Sequence, residues 1–164
     1  MENHTDMATM QFGIDIASPP KAVWDLITNL RQYDMWLPPS RTFNTVVQLN
    51  SGPVKVGTAY MDGGPSLTFH GEVTQLEPYT RIAFYQATRS KLWAFDVGMD
   101  IEIRYVLQPR GTGTHVERTL TLDTSGIFMP LQLLLRSVIR QENERILARM
   151  KAHLEESSLA SRTV

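Results

Sequence analysis

Cysteine is absent from the chain. That excludes disulfides, thiolate catalysis and cysteine-rich zinc sites. Histidine is scarce, and His4, His70, His115 and His153 are too scattered to give a metal-ligand spacing. Neither sign of charge dominates: 16 Lys and Arg stand against 17 Asp and Glu, for a formal net charge of -1. The chain therefore exerts no global pull on nucleic acid or an anionic membrane. No apolar run reaches the length of a membrane span. The opening MENHTDMATM lacks the basic-then-apolar order of a signal peptide. Internal repeats and low-complexity segments are missing too. So are the Gly-x-Ser-x-Gly nucleophile elbow and the Gly-rich loop before Lys-Ser or Lys-Thr. These absences predict a cytoplasmic protein with no cofactor, no metal, no nucleic-acid partner and no integral membrane segment.

What is present is enough apolar sequence for one full core. Hydrophobic residues make up 42% of 164 residues and charged residues 20%, ordinary values for a globular domain. The longest organised stretch is Leu131 to Leu154. Pro130 can open a helix there, because the first turn does not use its missing N–H. Leu131, Leu135, Val138, Ile139, Ile146 and Met150 recur at helical spacing on one face. Arg136, Arg140, Glu144, Lys151 and Glu155 take the other face, and Glu142 is the one charge inside the stripe. A helix of about 24 residues is roughly 36 Å long and needs a long surface to lie on.

The rest of the chain supplies that surface. Met10 to Ile16 alternates as a half-buried strand. Ser18-Pro19-Pro20 breaks it, with Ser18 as the expected N-cap of a helix over Lys21 to Thr28. A second short helix or turn spans Leu30 to Trp36. Strands are then expected over Phe43 to Leu49, Val56 to Met61, Leu67 to Leu76, Arg81 to about Thr88, about Met99 to Leu107, and Thr114 to Leu122. Short turns between them favour antiparallel neighbours. The fold class is α+β: a curved six- to seven-stranded antiparallel sheet wrapped around a long C-terminal helix, with two short N-terminal helices. Residues 9–156 form the expected domain, with 1–8 and 157–164 as flexible termini.

Several segments in this order carry a resemblance. They are Ile16-Ala17-Ser18-Pro19-Pro20-Lys21-Ala22-Val23-Trp24-Asp25-Leu26-Ile27, then Asn29, Tyr33 and Trp36, then Gly71-Glu72-Val73 with Leu76-Glu77-Pro78. Arg81-Ile82-Ala83-Phe84 and Gly113-Thr114 complete the set. With them the chain resembles the START-related, Bet v 1-like (helix-grip) superfamily, in its polyketide cyclase/dehydrase and lipid-transport branch. Members of that superfamily bind sterols, lipids, plant hormones or aromatic polyketides, act as cyclases, or regulate other proteins. The resemblance implies a helix-grip fold with a cavity between sheet and helix, and it does not choose among those functions.

The candidate cavity lining follows from alternation on the strands and spacing on the helix. It comprises Phe69, Gly71 and Val73; Ile101, Ile103 and Tyr105; Val116, Arg118 and Leu120; and Leu135, Val138, Ile139, Glu142 and Ile146. Phe84 and Trp93 are placed at the mouth. The alternative is that these residues pack a solid core. Gly71 either bends the sheet or leaves room for a ligand, and the bend is the simpler account. Arg89 to Asp100 reads either as the hairpin before the sixth strand or as a loop at the cavity entrance. Phe128 and Met129 either gate the cavity or anchor the helix start.

The expected partner is a small hydrophobic or aromatic lipid-like molecule. One alternative is a cyclase-type enzyme, with Arg118, Glu142 and Tyr105 as the polar candidates for moving protons or polarising a carbonyl. In the same positions Arg118 and Glu142 could instead form an interior ion pair. His70 and His115 alternate away from the apolar face and should lie outside any cavity. The other alternative is a protein-interaction module with a filled interior.

Overall fold

A computed structural model describes residues 6–43, 45–64, 67–92, 94–126 and 132–162. Alternation produces strands β1 (Asp6–Ile16), β2 (Thr45–Gln48), β3 (Ala59–Gly63), β4 (Thr68–Glu77), β5 (Arg81–Leu92), β6 (Phe95–Arg110) and β7 (Gly113–Gly126). Between β1 and β2 lie helix α1 (Pro20–Thr28) and a 3-10 helix (Leu30–Met35). The long helix α2 (Gln132–Ala160) follows β7. The strands form one antiparallel sheet in the order β1-β7-β6-β5-β4-β3-β2. Strands β2 to β7 are thus a plain meander, and β1 crosses to pair with the last of them. The sheet curves, and α2 lies across its concave side.

Several boundaries differ from the sequence expectation. Strand β1 begins at Asp6, opposite Thr124, so residues counted with the flexible N-terminus are paired. Helix α2 continues to Ala160. The Arg89 to Asp100 segment is the end of a long hairpin, with Arg89 opposite Gly98 and Leu92 opposite Phe95. In β4 the register shifts between Val73 and Gln75, the mark of a bulge that bends the sheet.

Ser18 does not cap α1; Pro19 occupies that position. Buried Ser18 instead donates from its hydroxyl to the Leu154 carbonyl, and its own carbonyl accepts from the Thr114 hydroxyl at 2.7 Å. The Ser-Pro-Pro turn therefore ties β1, β7 and the end of α2 together. Glu155 strengthens the tie by accepting from the Ala17 N–H at 2.9 Å. At the same corner Gly113 passes so close to β1 that a Cβ would collide with the Ile16 carbonyl oxygen. Val23, Trp24 and Ile27 of α1 are buried, together with Leu30, Trp36 and Leu37. They fill the end of the sheet that α2 grips most tightly.

Candidate functional site

Helix α2 packs unevenly along its length. Toward the C-terminus Ile146, Leu147, Met150 and Leu154 are buried, Met150 completely. Toward the N-terminus Leu135 and Ile139 are half-buried, and Leu133 and Leu134 are exposed. Between this looser half and the sheet lies a cavity of about 310 Å³. A smaller cavity of about 60 Å³ adjoins it, sharing Phe43, Asp62, Gln86, Ile103, Arg118 and Ile146 as common walls.

The larger cavity brings together Phe69, Ile101, Ile103, Arg118, Leu120, Leu135, Val138, Ile139, Glu142 and Ile146. Phe84 and Tyr105 line the smaller one. Phe84 is therefore not at a mouth. It is buried, with its ring edge-on to both Tyr60 and Tyr105. Val73 and Val116 border neither cavity and are fully buried in the core. Gly71 leaves no room for a ligand, because the Tyr60 ring lies against it. A Cβ there would collide with Tyr60 Cζ. Trp93, Phe128 and Met129 lie outside the described residues. His70 is exposed, and His115 pairs with Asp15 at 2.6 Å away from both cavities.

The polar atoms cluster on one side. Arg118 is 5% exposed. Its Nε donates to Asn143 Oδ1 at 2.6 Å, and Nη1 donates to the Tyr105 hydroxyl. The guanidinium also lies 4.8 Å from the Tyr105 ring centroid. Burial draws its pKa down to about 10, against the opposing pull of Tyr33, Tyr60, Asp62 and Glu142. The alternative Arg118–Glu142 ion pair does not form. Glu142 accepts from Arg145 at 2.7 Å and 3.2 Å and from Ser40 Oγ at 3.1 Å. Burial alone would raise the Glu142 carboxyl, but Arg145, Thr42 and Ser40 outweigh it and hold the group low. The reason is rotational. Ile139, Asn143, Ile146 and Met150 are spaced four, three and four apart, so position 143 lies on the inner line and 142 is turned to the rim.

Three inward polar residues went unpredicted. Asp62 lies just past the expected strand end at Met61, yet β3 runs through it to Gly63, and it faces both cavities beside Tyr60. Gln86 shares the inner face of β5 with Phe84, a signal the alternation did contain. Asn143 was masked by its charged neighbour. Tyr60 donates to Gln86 Oε1 at 3.0 Å, and Gln86 Nε2 reaches Asp62 Oδ2 at 3.5 Å. Burial pushes the Asp62 carboxyl up to about 6; the Gln86 bond and the Arg118 charge only partly offset it. Burial pushes the Tyr33 and Tyr60 hydroxyls well above their ordinary range. Among the described residues, no cluster of His, Cys, Asp and Glu could hold a metal ion. No described helix is long and apolar enough to cross a membrane.

Residues 7–155 match the model of one family, described as polyketide cyclase / dehydrase and lipid transport. The chain belongs to this family. No curated protein matches it by sequence. Among solved structures it is similar to TTHA0849 from Thermus thermophilus, at 18% identity and a TM-score of 0.70, covering 92% of this chain and 99% of that one. It is similar to Ara h 8.0201 at 10% identity and a TM-score of 0.68, with coverages of 92% and 99%. It is similar to DynU16, a protein in the dynemicin biosynthetic locus, at 20% identity and a TM-score of 0.59. That match covers 90% of this chain and 47% of DynU16. The fold is the Bet v 1-like helix-grip. Family membership supports a ligand-binding or polyketide cyclase-type protein in general, and the cavity's own residues carry anything finer.

Proposed function

We propose that this chain binds a small hydrophobic or aromatic molecule in the cavity between the sheet and α2, within a unit spanning about residues 9–156. The observation that carries the reading is the cavity of about 310 Å³, walled by Phe69, Met99, Ile101 and Leu120 on the sheet and by Leu135, Val138 and Ile139 on the helix. It lies in the size range of small-molecule sites. At about 30 Å³ per water molecule it has room for roughly ten waters. A one- or two-ring aromatic or a medium-length chain occupies comparable space. A filled interior, the arrangement expected of a pure interaction module, would have no such cavity. Native mass spectrometry of gently purified protein tests the reading. A bound small molecule, or one-to-one uptake of a fatty acid or aromatic polyketide mimic, is the expected result. Protein that stays ligand-free against all of them would overturn it.

A cyclase-type activity is the second reading, and Asp62 is what favours it. Its pKa of about 6 suits a group that takes and returns a proton near neutral pH. Arg118 lines the same cavity and would polarise a carbonyl. Glu142 is committed to Arg145 and Ser40, so Asp62 replaces it as the acid-base candidate. Turnover of a polyketone substrate that disappears in Asp62→Asn would support this reading. Turnover unchanged in both Asp62→Asn and Arg118→Gln would remove it.

A further inference from the structure

The interior holds a cation whose contacts are all neutral. Arg118 is 5% exposed. Its hydrogen-bond acceptors are an amide oxygen of Asn143 and the phenol oxygen of Tyr105. Among the described residues its Nη2 makes no hydrogen bond, and no carboxylate forms an ion pair with it. The carboxylates nearby are otherwise engaged, and among the described residues the cavity's other free cation, Arg41, is exposed at its edge. Glu142 is bound to Arg145 and Ser40 at the rim. Asp62 makes only a long contact of 3.5 Å, with Gln86 Nε2, and none with Arg118. A buried guanidinium with no anion in contact is costly, and such groups normally occur paired. Arg118 lines both cavities, so the space in front of it is where a counter-anion would stand.

We infer that the ligand is an apolar monocarboxylic acid whose carboxylate docks on Arg118, with its hydrocarbon part against the apolar walls. This inference rests on the cavity-binding reading above and adds the chemistry of the ligand's head. Arg118 is preorganised for the task. Asn143 Nδ2 donates to the Ile139 carbonyl at 2.7 Å, which fixes the amide that holds Arg118 Nε. The Tyr105 ring supports the guanidinium from one side. The planar fork then keeps one edge for a carboxylate. Asp62 acts as the competing charge. Burial already pushes it toward its neutral form, and an arriving carboxylate pushes it further. Neutral Asp62 then becomes a hydrogen-bond donor beside the ligand head instead of a repelling anion.

Calorimetric titration with matched pairs tests this. The probes are naphthoic acid and its methyl ester, and decanoic acid and its methyl ester. At neutral pH the intact chain should bind an acid about ten- to a hundredfold tighter than its ester, the worth of a hydrogen bond to a charged group. The naphthyl pair or the decanoyl pair showing that gap assigns an aromatic or an aliphatic skeleton, and either supports the inference. Arg118→Gln should abolish the gap by weakening the acid alone. Asp62→Asn should widen it by removing the competing carboxylate. Acids and esters binding the intact chain alike, or a gap that survives in Arg118→Gln, would overturn the inference while leaving the cavity reading intact. Failure of all four probes to bind would overturn both. Should Arg118→Gln not fold, Asp62→Asn decides, and a narrowed gap there contradicts the inference.

Discussion

Asp62 is the residue whose chemistry depends most on its surroundings. Its carboxyl sits at about 6 rather than 3.8. A raised carboxyl pKa means that the folded chain holds a proton the unfolded chain has already released. Its contribution to stability is therefore fully present below about pH 4 and is lost as pH rises through about 6. The loss is at most about 3 kcal/mol, from roughly 1.4 kcal/mol per pKa unit. The charged groups facing Asp62 are Arg118 from β7 and Glu142 from α2. Arg118 stays charged across this window, and Glu142 is held below its ordinary range by Arg145, Thr42 and Ser40. Asp62→Asn should therefore flatten the decline. Urea unfolding of both proteins at about pH 4 and about pH 8 measures it, and equal pH slopes would contradict the assignment. Gly71 gives a second residue-level prediction. Alanine there must displace the Tyr60 ring, so Gly71→Ala should cost roughly 1–3 kcal/mol by overpacking. A cost near zero would mean that the Tyr60 ring is not locked against it. Neither residue's role was legible in the sequence. Asp62 falls just beyond the strand end that alternation marks at Met61. Gly71 looked like a bend, and its close partner sits across the sheet on β3.

The elements divide α2 into two halves with different energetics. Met150 is completely buried and Ile146 nearly so, whereas Leu135 and Ile139 already border empty space. Met150→Ala should cost about 2–5 kcal/mol, as in a packed core. Leu135→Ala and Ile139→Ala should cost clearly less, because the methyl groups they lose face a void. Equal losses at all three positions would mean a solid core along the whole helix. The rim has its own device. Arg145 donates to the Pro38 carbonyl at 2.9 Å while paired to Glu142, which also accepts from Ser40. This holds the 38–43 segment, with its cavity residues Arg41, Thr42 and Phe43, against α2. Arg145→Ala should lower stability by about 1–3 kcal/mol, since it leaves a partly buried carboxylate with fewer donors. Thermal unfolding reads that loss, and an unchanged midpoint would leave the strap without a structural role. The element order, the meander and the terminal helix could all be read from alternation and spacing. Strand ends could not. Asp6 pairs with Thr124 and Leu92 with Phe95 through backbone bonds that no side-chain pattern announces. The rotational setting of α2 was nearly legible, since the spacing from Ile139 to Met150 passes through Asn143.

At the scale of the whole molecule, one stripe of apolar residues does two jobs. Its C-terminal half closes the core with α1 and β1, and its N-terminal half roofs a cavity. The sequence could not separate the two. An apolar residue beside a void and one in a packed core obey the same periodicity. Whether space remains is a sum over distant side chains, set here by how far the sheet curls away from α2. The polar cluster was equally hidden, because Asp62, Gln86, Arg118 and Asn143 come from four different elements. The central claim is that the cavity is a ligand site. Filling it tests this most directly: an apolar fluorophore such as phenylnaphthylamine is titrated into the intact chain and into Ile139→Trp, whose indole would occupy the space. The account predicts saturable one-to-one binding to the intact chain and a loss of about tenfold or more in the filled variant, with its thermal midpoint unchanged or raised. Equal binding by both proteins, or none by the intact chain, would contradict it.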